Sequence, residues 1–559
     1  MKVLFRTRIF FYLTLSILQI VLSCKRPVER LPGQEDAVEV LSGDVDGVHF
    51  LTDLTNVRLT PTIRLSFTQA IDPASVSAIS LMKGKTRHPV RYLMEKGDSV
   101  VMIEPSISLL PLEKYTLVVG TQLRTRSGVG SAADWVKYFA TTIDSSRKFP
   151  KLSEAELLTK VQRQTFNYFR DFAHPVSGMI REGSKHAPDI VTTGGTGFGV
   201  MALLVGVERG FITKAEGLQR ITRIVDFLKN TAQTFHGAYP HWLNGSSGEV
   251  IPFSTNDDGA DLVETAFLVQ GLICARQYFS GAGEEALLRT AINAIADSVE
   301  WNWFRQNNQQ VLYWHWSADK GWAMNLKIRG WNECLITYVL AAGSKDHAVA
   351  RSVYDEGWAG SGAMKNGKSF YNIRLPLGPD YGGPLFFEHY SFMGINPNGL
   401  SDAYTSYEEQ AKNHSLINYH YCSTNPQNYF GYSDSVWGLT ASNTKNGYVA
   451  SSPTNDRGFI APTAAISSMP YTPAESMAAL KFYYYVLGDK LWKAYGFVDA
   501  FSLDVLKNDG AWFDDAFLAI DQGPIIVMIE NYRTKLLWNL FMSAPEVKSG
   551  LTKLGFAGF

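Results

Sequence analysis

A chain of 559 residues with 45% apolar and 19% charged side chains can bury a sizeable core, which excludes whole-chain disorder. Its 52 Lys and Arg against 53 Asp and Glu give a net charge of -1, so no basic excess exists to neutralise phosphates, which argues against a nucleic-acid partner. Of 13 tryptophans only Trp135 precedes residue 150, so an aromatic binding surface belongs to the C-terminal part.

At the N-terminus, Lys2, Arg6 and Arg8 precede an apolar run of 14 residues, Ile9 to Leu22. That run is too short for a hydrocarbon layer of about 30 Å and suits the core of a signal peptide, residues 1–23. It ends in Val21-Leu22-Ser23-Cys24, which resembles a bacterial lipobox with Cys24 as the lipidated residue; an ordinary secretory signal with an incidental Cys is the alternative. Removing three positive charges from -1 leaves the mature chain near -4. Residues 24–46 read as a polar tether, and the expected location is the periplasm or cell surface, on a lipid anchor. Cys274, Cys334 and Cys422 are too far apart for metal-ligand spacing or a disulfide framework, and read as buried free thiols.

Residues 47–145 carry short alternating runs between turn residues. Thr62 to Phe67 alternates polar and apolar as a half-buried strand does, and Asp98 to Ile103 and Tyr115 to Val119 repeat the signal. A β-sandwich follows. Pro61, Leu65-Ser66-Phe67, Ile71-Asp72, Leu109, Leu112, Tyr115-Thr116-Leu117 and Phe139 to Thr142 resemble the bacterial Ig-like domains appended to exported enzymes. The segment has no acid/base cluster, so a spacer or docking role is expected.

Lys148 to Pro150 reads as a linker, and beyond it the period is helical. Leu152 to Phe172, Thr196 to Glu208, Lys214 to Thr234, Asp261 to Phe279, Glu284 to Phe304, Ile328 to Ala342, His347 to Trp358, Ser401 to Tyr421, Pro473 to Leu487 and Pro524 to Phe541 are the predicted helices. No short repeat marks a solenoid. The class is mainly α: a barrel of paired inner and outer helices fits the count, with an irregular helical domain as the alternative.

Four strings carry possible chemistry. In Ser254 to Glu264, the acids Asp257, Asp261 and Glu264 are spaced to share one helix face. They either hold sugar hydroxyls or cap a helix, with Asp258 as the cap; the pattern of a calcium loop is missing. In Trp331-Asn332-Glu333, a carboxyl beside Trp331 and Cys334 is partly desolvated, as a general acid requires, or simply complements a helix dipole. Phe386-Phe387-Glu388-His389-Tyr390, with Tyr404, Tyr407 and Glu408, interleaves aromatic and polar groups as a sugar site does, or forms a core patch. Trp242, Trp314, His315, Trp316 and Trp322 extend that theme in loops. In Ile520 to Arg533, Pro524 suits a first helical turn, which leaves Asp521 just outside the helix, ionised and apt for a base. Glu530 and Arg533, three apart, either pair with each other or serve the substrate.

Asp521-Gln522-Gly523-Pro524 and Glu530-Asn531-Tyr532-Arg533, together with Asp257, Asp261, Glu264 and Trp331-Asn332-Glu333, resemble the bacterial glucoamylase-like family, over about residues 150–545. More narrowly they resemble its inverting glycoside hydrolases acting on β-1,2-glucan. The resemblance implies an (α/α)6 barrel, no metal or organic cofactor, Glu333 as general acid and Asp521 as candidate base. Substrate contacts then fall on Asp257, Asp261, Glu264, Trp242, Trp331, Glu388, His389, Tyr404, Glu530 and Arg533. The expected partner is an oligo- or polysaccharide, and the expected state a monomer. The competing readings are an α-glucan glucoamylase, a non-catalytic glycan-binding lipoprotein and a polysaccharide lyase; the acidic cluster argues against the lyase.

Overall fold

The structure is a computed structural model that describes residues 37–559. The expected signal peptide, Cys24 and most of the expected tether lie outside the described residues.

Ten strands form the N-terminal sandwich: β1 (Val40–Val45), β2 (Val48–His49), β3 (Leu54–Val57), β4 (Ile63–Phe67), β5 (Ile79–Lys83), β6 (Thr86–His88), β7 (Val90–Glu95), β8 (Val100–Pro105), β9 (Lys114–Val119) and β10 (Trp135–Thr141). One sheet runs β2-β1-β4-β8-β7 and the other β3-β10-β9-β5-β6, antiparallel except for the parallel pair β3 and β10. Alternation makes the core: Ile63, Leu65, Phe67, Val101 and Ile103 face Ile79, Leu81, Leu117 and Phe139, all buried. The expected tether boundary at residue 46 is too late. Val40 to Val45 are already paired with β4, so they belong to the sheet.

The helical part comprises α1 (Glu154–Asp171), α2 (Thr193–Glu208), α3 (Lys214–Asn230), α4 (Leu262–Tyr278), α5 (Glu284–Ser298), α6 (Leu335–Gly343), α7 (Tyr407–Thr424), α8 (Pro462–Ser467), α9 (Pro473–Tyr485), the single turns α10 (Gly488–Leu491) and α11 (Val505–Asn508), α12 (Ala519–Thr534), α13 (Leu536–Ser543) and α14 (Pro545–Leu554). Two kinds of helix are present. α1 and α3 are amphipathic and start on side-chain caps, Ser153 in a capping box with Glu156, and Thr213 on Glu216. α2, α4, α6, α8 and most of α12 are buried all round. These buried helices lie side by side in the order α8, α12, α2, α4, α6, with α9, α1, α3, α5 and α14 packed outside them.

Several predicted boundaries shift. The expected helix from Ile328 begins only at Leu335, because Gly330 takes a positive φ of 79°. His347 to Trp358 yields only a short π-helical stretch over Val353–Trp358. The largest shift concerns Pro524. α12 starts at Ala519, five residues earlier, so Pro524 lies inside the helix and forfeits one backbone bond there. Asp521 is therefore in the first turn, not outside it. The same helix stops at Lys535, whose φ of 62° separates α12 from α13.

The backbones of α2 and α4 touch. A Cβ on Gly197 would stand 2.1 Å from the Phe267 carbonyl oxygen, and one on Gly271 2.1 Å from the Gly197 carbonyl oxygen. Backbone cannot yield as a side chain does, so Gly271→Ala should force the helices apart and cost about 1–3 kcal/mol or more, as core overpacking does. Denaturant unfolding followed by circular dichroism measures it; an unchanged midpoint would show that the helices are free to separate.

Candidate active site

The acids predicted from the Ser254 to Glu264 string gather where α4 begins. Asp261, not Asp258, is the cap: its Oδ1 accepts the N–H of Val263 at 3.0 Å and of Glu264 at 2.9 Å. Asp258 instead pairs with Lys320. Asp261 Oδ2 lies 3.4 Å from both His241 Nδ1 and His315 Nε2, and His315 Nε2 lies 3.4 Å from Asp257 Oδ2. Burial opposes ionisation of Asp261, but the two imidazoles outweigh it and hold the carboxylate well below its usual range. For His241 burial alone would favour the neutral ring; Glu264 and Asp261 prevail and raise it to about 10. Asp257 has less compensation and is pushed up to about 6, by burial and then by Asp261. Donor atoms of His241, Asp257 and Asp261 lie within 4.8 Å of one another, so this trio is the set that could hold a metal ion.

Glu264 reaches from the first turn of α4 to that of α2, where its Oε2 accepts the Gly194 N–H at 2.7 Å. A Cβ on Gly194 would stand 2.6 Å from that oxygen, so only glycine admits the carboxyl. Burial pushes Glu264 up to about 7. Glu333 stands two residues before α6, in a turn clamped by the Ser391 hydroxyl, which donates to the Glu333 carbonyl and accepts the Ile336 N–H. Burial pushes its carboxyl up to about 7, with Glu264 and Asp261 adding repulsion.

Asp521 does not titrate low as expected. It is 2% exposed in the first turn of α12 and shares a hydrogen bond with Asp499, also 2% exposed. Asp499 Oδ1 and Asp521 Oδ2 are both buried and accept from no described protein donor. Burial and then the Asp499 charge push Asp521 well above the carboxylate range, and burial raises Asp499 to about 7. The helix dipole favours the anion by about 0.3–1 kcal/mol, too little against burial beside a like charge. One phenol ties the groups together: Tyr390, in the cleft wall, has its ionisation suppressed by burial and then by Asp521, Glu333, Asp499 and Glu264.

Of these groups, His241, Glu264 and Tyr390 line a cleft of about 380 Å³, together with Glu182, His186, Trp242, Phe253, Phe386, Asn443, Tyr448 and Ile520, the residue before Asp521. Trp242 stands edge-on to Phe253 at 4.8 Å, and its buried indole N–H has no partner. A larger groove of about 700 Å³ lies outside, between α3 and α5, away from these acids.

Other expected contacts are engaged elsewhere. Glu388 is fully buried and accepts from Trp331 Nε1 at 3.0 Å, Gln410 Nε2 at 2.9 Å and His414 Nδ1 at 2.8 Å, which removes both Trp331 and Glu388 from substrate. His389 bonds Ser468, and burial lowers it to about 3. Tyr404 donates to Asp355 at 2.8 Å. Glu530 does not pair with Arg533: it takes Arg209 in two bonds of 2.7 Å, while Arg533 donates to Gln162 and Thr159. Nine helical residues place this cluster about 13 Å along α12 from Asp521. The sequence reading missed Glu182, His241, Phe253, Asn443, Tyr448 and Asp499 outright. His241 could have been flagged by its neighbour Trp242; Asp499 sits in no motif.

The Glycoamylase family model, described as "Putative glucoamylase", matches residues 325–545, and a bacterial Ig-like domain model matches residues 46–142. An exo beta-1,2-glucooligosaccharide sophorohydrolase (non-reducing end) of Parabacteroides distasonis is 43% identical in a match 432 positions long that covers 73% of this chain. The chain spans only 59% of that curated relative's length. The endo-beta-1,2-glucanase of Chitinophaga pinensis, solved with sophorotriose and glucose, is 50% identical over 73% of this chain and 99% of its own, with a TM-score of 0.70. A beta-1,2-glucanase structure from Parabacteroides distasonis is 35% identical over 93% of this chain and 74% of its own, also with a TM-score of 0.70. With helices of the same arrangement and the acid-lined cleft at their N-terminal ends, the chain belongs to the glucoamylase-like family of glycoside hydrolases and carries a bacterial Ig-like domain in front of it.

Proposed function

We propose that this protein hydrolyses β-1,2-linked glucan or its oligosaccharides with inversion, Glu333 acting as general acid and the Asp521–Asp499 pair as base. The observation that carries the reading is the cluster around Tyr390: Glu333 and Asp499 both held near neutrality, and Asp521 held above the carboxylate range beside Asp499. Glu333 gives its proton to the glycosidic oxygen as the bond to the anomeric carbon breaks. Water attacks the opposite face of that carbon, and its proton passes to the carboxyl pair, directly or through a substrate hydroxyl. Asp257, Asp261 and Glu264 hold sugar hydroxyls, while Trp242 stacks on a sugar face and offers its free N–H. The relatives named above support the β-1,2 linkage.

The helical domain reads as an (α/α)6 barrel. Five inner helices with helices outside them support this, and the sixth inner place falls to the 3-10 turns Leu385–Glu388 and Ser391–Met393, which α7 and α12 contact. The protein is proposed to act as a monomer, anchored by lipid on Cys24 and facing the periplasm or cell surface. Among the described residues no helix is long and apolar enough to cross a membrane.

Linear β-1,2-glucan should yield sophorose or longer β-1,2-oligosaccharides whose new reducing ends are first α-configured by NMR, and starch should be left intact. Glucose from starch and none from β-1,2-glucan would overturn the linkage.

The rate should be bell-shaped and narrow around neutral pH. Glu333 must keep its proton, so activity falls as pH rises through about 7. The pair must lose one proton, so activity also falls as pH drops below about 7, where Asp499 reprotonates. Glu333→Gln should cut turnover by about 10²–10⁴-fold and abolish the basic limb. Asp499→Asn should move the acidic limb to lower pH, because the like charge that raises Asp521 is gone. An acidic limb that stays in place would exclude Asp521 as the base.

Cys24→Ala should release soluble enzyme from the membrane fraction; protein that stays with membranes would count against the lipid anchor.

A further inference from the structure

The sandwich and the cleft are joined by a short chain of contacts. Leu112, in the turn before β9, is held at a φ of 57°, a conformation that a branched side chain adopts only when its surroundings fix it. Its side chain is 8% exposed and packs, with Ala140 of β10, into the apolar cluster of the helical domain and not into that of the sandwich. β10 lies against α11, and Lys114 Nζ pairs with Asp509, the residue that ends α11, at 2.9 Å. The sandwich therefore grips one helical turn.

That turn closes a loop whose two stems hold a hairpin of the cleft wall. Phe501 pairs with Phe513 and Ser502 with Trp512, and just outside this strand pair stand Asp499 and Asp514. Asp499 Oδ2 accepts the Asn443 N–H at 2.6 Å, and Asp514 Oδ2 accepts Asn443 Nδ2 at 2.8 Å. Lys445 Nζ donates to the Asn508 carbonyl, in α11 itself, at 2.8 Å. Asn443 and Lys445 belong to the hairpin Ala441–Thr444 and Gly447–Ala450, which lends Ala441, Asn443 and the half-exposed Tyr448 to the cleft wall.

We propose that the Ig-like domain positions one wall of the cleft: through Leu112 and Lys114 it fixes α11, and α11 and its stems fix the Tyr448 hairpin and Asp499. Leu112 is then a positioning residue, remote from substrate. The domain is a working part of the site and not a spacer. The inference rests on the glucanase reading only for its kinetic arm.

The test uses the full chain with two variants that loosen the hairpin from opposite ends. Leu112→Asp puts a charge into the interdomain contact; Lys445→Ala cuts the hairpin from α11 and leaves the sandwich untouched. Hydrogen exchange followed by mass spectrometry, without substrate, should show several-fold faster exchange over residues 441–450 in both, with α2 and α4 protected as in the parent protein. On β-1,2-glucan both should raise KM several-fold more than they lower kcat, with the basic limb set by Glu333 unmoved. Adding Leu112→Met in place of the aspartate should restore slow exchange. Exchange over 441–450 and KM that both stay at parent values in Leu112→Asp and Lys445→Ala would overturn the proposal. A parent protein inactive on β-1,2-glucan would overturn the glucanase reading while leaving the exchange measurement to decide this one.

Discussion

A helix wrapped in apolar neighbours has only its ends at which to meet polar groups, and its first four N–H groups have no partner within the helix. α2, α4, α6 and α12 all face this constraint, because burial surrounds them. Acidic side chains answer it at the cleft. Asp261 caps α4, Glu264 reaches from α4 to the first turn of α2, and Asp521 sits in the first turn of α12. Glu333 stands just before α6, which has no side-chain cap. Acidic groups thus collect at these helix starts, whether or not they carry a charge.

Crowding acids in this way sets up repulsion that the protein resolves by two different means. Around Asp261 it supplies cations: two imidazoles at 3.4 Å make that carboxylate a permanent anion. Around Asp521 no cation is in contact among the described residues, and burial with the neighbouring Asp499 keeps it protonated instead. Glu333 and Glu264 fall between these limits, where burial first and then the Asp261 charge keep them protonated near neutral pH. One cleft thus holds a fixed anion, a protonated carboxyl and a transferable proton, and the difference between them is the identity of the nearest neighbour.

Close packing decides which residues can take part. Gly194 admits the Glu264 carboxyl, and the contact between Gly197 and Gly271 lets α2 and α4 stand near enough for that bond to form. The segment from Phe386 to Tyr390 shows the converse. Its tight 3-10 turn sends Phe386 and Tyr390 into the cleft while Glu388 and His389 turn inward, to His414 and to Ser468. Adjacent residues, all of types suited to sugar binding, are thus split between cleft and core by the turn.

Much was legible in the sequence because it was local. Alternation gave the strands from Ile63 to Phe67 and Lys114 to Val119, helical spacing gave most of the long helices, and motifs singled out Asp257, Asp261, Glu264 and Glu333, the last with the raised pKa that burial beside Trp331 and Cys334 suggested. What stayed hidden depended on partners far away in the chain. Pro524 suggested a helix start that the Gly183 to Leu518 pairing moves forward to Ala519, and this turns Asp521 from an ionised group outside the helix into a buried, protonated carboxyl. Asp499 has no motif, and its proximity to Asp521 exists only once α12 and the loop carrying Asp499 are packed together. Glu530 was expected beside Arg533 and is claimed by Arg209, more than 300 residues away. Sequence alone fixes which groups can carry charge and which faces must be buried; the charge state each group takes depends on desolvation and on neighbours within a few ångströms, and only the tertiary structure supplies those.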